Sequence, residues 1–448
     1  MRKSLILILS LIITSYGVAQ ENTMQFSLQE AIDYALQNNR QVKNAQRNIE
    51  AAEEQKWETI ATGLPQIDAN VNYQNFLKQQ VSVVPAEFFG GDPGDFEEVI
   101  FGTEQNVSAT ATLNQLIFDG SYLVGLQSVK VFLEISKYAK EKTDLEVRQN
   151  VINAYGNVLL AIESEAILER NKTVLQKNLD ETTKIFENGL TEEESVEQLQ
   201  ITLSGIESLL KNATRLKVIA YQMLNLSLGI DINQNVILTD ALEDLTTSNI
   251  SLALLSAEED VKSNIDFLIA ENDKTSKELL VKLEKSKALP RLTGFINGGY
   301  LGFSNEFSFL DSDQNWAGFS SFGLNLNIPI FSSLGRASKT QRAKINLEIA
   351  EENLSELEQM LKLEIATAKS NYQFSIEDYQ IKKENLKLAE RIEAKNETKF
   401  FEGIASSFEL RQAQSQLYNA QQEYLQAMLN VITNKAKLET ILNRPNTL

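Results

Sequence analysis

A chain of 448 residues carries 42 Lys and Arg against 61 Asp and Glu, contains neither His nor Cys, and has a formal net charge of −19. Without imidazole or thiol there is no Ser-His-Asp or Cys-His nucleophile system and no Cys/His zinc site, so only carboxylate chemistry remains. The spread-out acidity excludes the clustered basic footprint of a nucleic-acid binder, and six Pro with twenty Gly are sparse enough to suggest long unbroken elements.

Residues 1–19 read as a secretion signal. Arg2 and Lys3 form a basic start, Leu5 to Ile13 an apolar core too short to span a bilayer, and Gly17-Val18-Ala19 a small-residue cleavage site. No other run approaches the roughly eighteen consecutive apolar residues of a transmembrane helix. The lack of Cys leaves no cysteine for a lipid anchor and none for a disulfide. Residence in a membrane would therefore fall to strands.

Beyond the signal, the same order of elements is read twice: a first repeat over 20–230, a connecting segment over 231–262 and a second repeat over 263–448. Each repeat reads helix, hairpin, long helix, Gly turn, return helix. In the first, Ile152, Tyr155, Leu159, Ile162 and Ala166 recur at helical spacing. In the second, Leu354, Leu357, Leu361, Ile365, Ala368, Tyr372, Ile376 and Tyr379 form a longer seam, apolar on one side and polar on the other. A helix over 336–401 would reach on the order of 100 Å and needs coiled-coil-like partners along it.

The hairpins are expected at 66–118 and 291–331. Ile67, Ala69, Val71 and Tyr73 alternate with Gln66, Asp68, Asn70 and Asn72. Val107, Ala109, Ala111 and Leu113 alternate with Asn106, Ser108, Thr110 and Thr112. Leu292–Phe303 is a weaker case, and Phe322 to Ile330 a clear one. Such strands fit either a transmembrane barrel, lipid outside and water inside, or a soluble antiparallel hairpin with one wet face.

Matching landmarks establish the repeat. Pro65 and Pro290 each end a helix and open a strand, 225 residues apart; Leu116-Ile117-Phe118 and Pro329-Ile330-Phe331 close the second strands, 213 apart. Gly189 and Gly403 break the long helices, 214 apart, and can take the left-handed conformation that reverses a helix. Pro65, Pro290 and Pro329 thus act as hinges. The first hairpin loop, Leu77 to Glu104, is twelve residues longer than its counterpart and holds Glu87, Asp92, Asp95, Glu97, Glu98 and Glu104 against Lys78 alone.

Four membrane strands cannot close a barrel, since about eight is the smallest number. Two copies would give a plugged lumen and three a twelve-strand, water-filled one; the uncharged polar faces (Asn70, Asn72, Ser108, Thr110, Asn325, Asn327) suit the wet lumen.

The segment Ser27-Leu28-Gln29-Glu30-Ala31-Ile32-Asp33-Tyr34-Ala35-Leu36-Gln37-Asn38-Asn39, with the Leu-Pro hinges, Ile-Phe strand ends and Phe-x-x-Gly turns in order in both halves, resembles the TolC-like outer-membrane efflux family over about residues 25 to 443. The resemblance implies a mainly α fold with a β-barrel portion. Duplicated long helices would form a periplasmic α-barrel, and four strands per chain would enter a trimeric twelve-strand barrel in the outer membrane of a Gram-negative bacterium. It further implies a passive duct docking on a periplasmic adaptor and an inner-membrane pump, surrounded by outer-membrane lipid, with no cofactor. Many members add an acylated N-terminal cysteine, which is absent here, so the barrel alone would anchor the chain.

By the same resemblance the helix turns, Phe186 to Ser195 and Phe400 to Glu409, form the closable entrance and the adaptor contacts. Some members carry two inward aspartates after the second turn. Here Glu409 stands at the first position and Gln412 at the second, so a double acidic ring is not reproduced. Three copies of Glu409 would still make a negative ring favouring cations; its plain alternative is a solvated helix-face glutamate. Gly189, Glu192, Glu193, Glu194, Gly403 and Ser406 are the docking candidates, although the three glutamates also suit a helix N-terminus on dipole grounds alone. Phe88, Phe89, Phe96, Phe101, Phe303, Phe307, Phe309, Trp316 and Phe319 either form an interfacial aromatic girdle or pack the loops on one another. Gly90-Gly91 and Gly298-Gly299 are not phosphate loops, since neither opens a helix after a strand with a following Lys. The competing readings are a non-channel coiled-coil scaffold or adhesin, and an enzyme using a carboxylate pair as in glycoside hydrolysis.

Overall fold

Ser27 starts the first helix by a capping box: its hydroxyl accepts from the Glu30 N–H, and the Glu30 carboxylate accepts from the Ser27 N–H at 2.8 Å. The computed structural model describes residues 24–256 and 260–444, so the expected signal at 1–19 lies outside it. In chain order the long elements are α1 (Leu28–Asn38), α2 (Arg40–Ala61), α3 (Gly120–Glu187), α4 (Glu193–Leu228), α5 (Leu242–Ser248), α6 (Leu252–Leu255), α7 (Ile265–Ser286), α8 (Gly335–Phe401) and α9 (Ser407–Ile441). The strands are β1 (Met24–Phe26), β2 (Gln66–Asn75), β3 (Val81–Pro85), β4 (Phe96–Ile100), β5 (Gln105–Asp119), β6 (Val236–Leu238), β7 (Arg291–Ser304) and β8 (Trp316–Asn327). Contacts divide the chain into two compact units, one over 24–48, 137–269 and 355–444, the other over 49–136 and 270–354.

The first unit is helical. Of the expected seam on α3, Ile152, Tyr155 and Leu159 are buried, and further along α3 Leu168 and Leu175 join Leu199, Leu203, Ile206 and Ala213 of α4 in one apolar cluster. On α8 the seam is buried at Leu361, Ile365, Ala368, Tyr372 and Tyr379. Propensity alone does not hold helices this long, so the continuous apolar stripe and its partners must. The connecting segment is tied in by β6, which pairs in parallel with β1.

The second unit holds a four-stranded antiparallel sheet in the order β2-β5-β7-β8. Each hairpin pairs within its own half of the chain, and β5 with β7 joins the halves from Gln105↔Ser304 to Asp119↔Arg291, with a register irregularity between Leu116 and Phe118. Pro65 and Pro290 directly precede β2 and β7, as expected of residues that stop a helix and cost no ladder bond.

Two expectations are corrected. The segment 77–104 is not a plain loop: β3 and β4 pair as a second, smaller hairpin, Val81↔Ile100 to Pro85↔Phe96, around a 3₁₀ turn at Ala86–Phe89. Neither five-residue strand, VSVVP or FEEVI, alternates strictly between apolar and polar residues, so the sequence carries no period of two there. The last strand ends at Asn327 rather than at Phe331, because β7 begins at Arg291 and offers no partner further on. Pro329 therefore lies in a link to α8, in which Ser333 and Leu334 take left-handed φ of 47° and 66°.

Candidate functional site

The two helix turns are near copies. α3 ends at Glu187 and Gly189 adopts φ 72°, its N–H donating to the Phe186 carbonyl at 2.8 Å while Leu190 N–H donates to Ile185 at 3.0 Å. α8 ends at Phe401 and Gly403 also adopts φ 72°, donating to the Phe400 carbonyl at 3.0 Å, with Ile404 N–H on Lys399 at 2.8 Å. Both glycines face open space. Gly189→Ala and Gly403→Ala are thus expected to cost only the left-handed penalty, about 1–2 kcal/mol each, read as a fall in the thermal midpoint in detergent; no change in either would contradict the turn geometry.

The helix starts differ. Ser406 and Glu409 form a second capping box: the Ser406 N–H and hydroxyl donate to the Glu409 carboxylate at 2.8 and 3.0 Å, and the Glu409 N–H donates to Ser406 Oγ at 3.3 Å. The Ser406 backbone N–H, then its hydroxyl, holds the Glu409 carboxyl below its ordinary range. The cap is intact above that range and is lost as pH falls through the lowered value. At the first turn Glu192 is the N-cap residue, but its side chain makes no cap bond; Glu193 and Glu194 lie in the first turn of α4, where Glu194 accepts from Gln198 at 2.7 Å.

A cavity of about 2460 Å³ runs along the first unit, lined among others by Asn150 and Asn157 of α3, Leu209 and Leu216 of α4, and Gln412 and Asn419 of α9. Its wall is amide and aliphatic, with Arg40, Arg411 and Glu423 its only charged members. Gln412 reaches this cavity and Glu409 does not. Beside them, Arg411 lies 5.4 Å over the Phe408 ring. Among the described residues no group of three or more His, Cys, Asp or Glu could hold a metal ion.

A buried ionic node had no signal in the sequence, where its members pass for a polar helix face. Arg148 of α3 donates to the Glu439 carboxylate of α9 at 3.0 Å; Lys435 lies 3.3 Å from the other Glu439 oxygen and donates to Asn249 Oδ1 at 3.1 Å. Tyr372 OH of α8 donates to the Asn249 carbonyl at 2.6 Å and accepts the Ser251 N–H at 2.8 Å. Nearby, Tyr155 donates to Asp240 at 2.8 Å, and burial pushes its phenol up.

On the sheet, Ile67, Val71, Tyr73, Phe322, Leu324 and Leu326 all stand exposed on the apolar side. Of the nine expected aromatics, Phe307, Phe309 and Trp316 pack together with Tyr73, at centroid distances of 5.7 to 6.4 Å, and Phe309 is buried. Phe88, Phe89, Phe96, Phe101, Phe303 and Phe319 remain exposed. α3 also contains one window apolar enough to cross a bilayer by composition, but 44% of that window is buried against the rest of the chain, as in the core helix of a folded unit.

A family model described as "Outer membrane efflux protein" matches residues 31–230 and 262–444. The Outer membrane protein TolC of Escherichia coli (strain K12) is 23% identical over 366 residues, 76% of this chain and 70% of that protein. The TolC of Vibrio cholerae serotype O1 is 24% identical over 342 residues, 74% of this chain and 75% of the relative. Among solved structures, CusC superposes with a TM-score of 0.74 at 18% identity, covering 96% of this chain and 95% of the other. CmeC of Campylobacter jejuni does so at 0.72 and 18%, covering 93% and 86%.

Proposed function

We propose how this chain works from the premise that it belongs to the outer membrane efflux protein family. It is an outer-membrane exit duct with a large periplasmic helical portion, and the non-channel scaffold reading is not favoured. Among the solved structures that it resembles, CmeC is an outer membrane channel.

In the finer reading, three copies close a twelve-strand barrel, the long helices form a periplasmic α-barrel, and the Gly189 and Gly403 turns meet a periplasmic adaptor serving an inner-membrane pump. Transport is passive and is energised by the pump. The observation that carries this reading is the sheet: four strands, exposed apolar side chains on one face and, among the described residues, no strand paired to the outer edges of β2 and β8. Lipid does not satisfy open backbone groups, so closure by further copies is required.

Single-channel conductance of the detergent-extracted protein, with its mass by light scattering, tests it. Discrete cation-selective openings from a trimer are expected; a water-soluble species without conductance would overturn the reading. Glu409 and Gln412 are assigned to the pore entrance, with Glu192, Glu193, Glu194 and Ser406 at the docking turns. Glu409→Gln is expected to lower cation selectivity in planar bilayers, and unchanged selectivity would leave Glu409 with its capping role alone.

A further inference from the structure

Three helices of the first unit bring an acceptor-rich polar cluster together close to the Gly turns. Asn178 and Thr182 stand one turn apart on α3, Glu393 and Glu397 one turn apart on α8, and Gln414 and Tyr418 one turn apart on α9. Asn178 Nδ2 donates to the Glu397 carboxylate at 2.9 Å, which joins α3 to α8. Burial, then the Glu397 charge, pushes the Glu393 carboxyl up, and the Gln414 amide facing it acts against that, so these three groups are neighbours. Burial, then the charges of Glu393 and Glu397, also pushes the Tyr418 phenol up, which places it beside the pair.

Asn178, Thr182 and Gln414 are 1%, 0% and 0% exposed, yet Asn178 Oδ1, Thr182 Oγ1 and both amide atoms of Gln414 meet no hydrogen-bond partner. Buried polar atoms are seldom left so. Turning either amide over exchanges nitrogen for oxygen, but with two carboxylates present the acceptors still outnumber the donors. Among the described residues no basic group offsets them. Neither Lys nor Arg acts on Glu393. Lys395 and Lys399 of α8 are exposed, Lys177 of α3 lies 3.9 Å from Glu181, and Arg411 of α9 lies over the Phe408 ring.

We propose that Glu393, Glu397, Asn178, Thr182 and Gln414 hold a calcium ion, which fastens α8 to α3 and α9 near the Gly189 and Gly403 turns. All five offer hard oxygen donors, and only two are acidic, in keeping with the lack of a larger carboxylate group among the described residues. Calcium takes amide, hydroxyl and carboxylate oxygens in irregular geometry and completes its shell with water, whereas magnesium demands a near-ideal octahedron. A proton would neutralise one carboxyl and still leave the Asn178 and Gln414 oxygens without a donor. Tyr418 also lines the large cavity, which gives the ion a wet approach. The site lies within one chain, so it goes beyond the duct reading and stands or falls separately from it.

Calcium titrated into the chelator-treated, detergent-purified protein, in enough monovalent salt to screen the surface, tests the site by thermal midpoint and calorimetry. Calcium is expected to raise the midpoint more than the same concentration of magnesium. Glu397→Gln and Glu393→Gln should each weaken binding at least about tenfold, since losing a group that only orients a ligand already costs that much. Without calcium their midpoints should not fall, because each change removes a like charge from a half-buried pair. Glu97→Gln with Glu98→Gln, on the exposed β4, should keep the whole calcium effect. Terbium, which occupies calcium sites, should show emission sensitised by Tyr418 that is lost in Tyr418→Phe while the calcium shift persists. No calcium shift in the parent protein, an equal shift with magnesium, or a shift retained in full by both Glu393→Gln and Glu397→Gln would overturn the site.

Discussion

Glu439→Gln is expected to destabilise the helical unit by about 3–5 kcal/mol, the cost of removing one partner from a buried ionic group. Arg148, Lys435 and Glu439 are 6%, 1% and 2% exposed, so water cannot replace the lost carboxylate. Glutamine keeps the shape and one acceptor but removes the charge facing both the guanidinium and the ammonium. The loss is therefore electrostatic rather than steric. Replacing Arg148, Lys435 and Glu439 together with Met, Met and Leu should recover much of it, since a whole buried ionic group often exchanges for apolar residues at little cost. Denaturant unfolding of the detergent-purified protein, followed by helical circular dichroism, measures both. A loss below about 1 kcal/mol for Glu439→Gln, the range of an exposed pair, would contradict the node.

Gly229→Ala is expected to cost more than either turn glycine, although all three have similar dihedrals. Gly229 ends α4 at φ 81°, and an added Cβ would meet Asn38 O at 2.6 Å and Asn39 Cα at 2.9 Å, both backbone atoms at the junction of α1 and α2. Asn39 is fastened to the same place through Nδ2 to the Ser227 carbonyl at 2.7 Å. The same left-handed penalty of about 1–2 kcal/mol then adds to overpacking of about 1–3 kcal/mol. The thermal midpoint of Gly229→Ala should fall clearly below that of Gly403→Ala; equal midpoints would show that the α1–α2 junction yields.

These two sites also mark what the sequence could convey. The strands β2, β5 and β8 were legible because one face meets an apolar and the other a polar environment, which writes a period of two. The turn glycines were legible because the repeat presents them twice. The node was not: Lys435 and Glu439 sit four apart on a helix, a spacing that more often marks a solvated pair. Nor was Gly229, whose need for glycine comes from a backbone some 190 residues away in sequence. Of the two residues proposed for the pore entrance, the family resemblance points first to Glu409, but its carboxylate is engaged in a cap and it is Gln412 that lines the cavity.

The pairing of β5 with β7 also sets an order of events after export. Its partners are separated by 172 residues at Asp119↔Arg291 and 199 at Gln105↔Ser304, so the sheet cannot form in the order in which the chain arrives. The β2–β5 hairpin can form early and must then wait, both edges bare, until α3, α4 and the connecting segment have crossed the inner membrane and β7 follows. Loop-closure entropy makes that step slow relative to hairpin formation. For this interval the nascent first half is a template for wrong partners, including the first half of another chain, whose β2 presents a similar open strand.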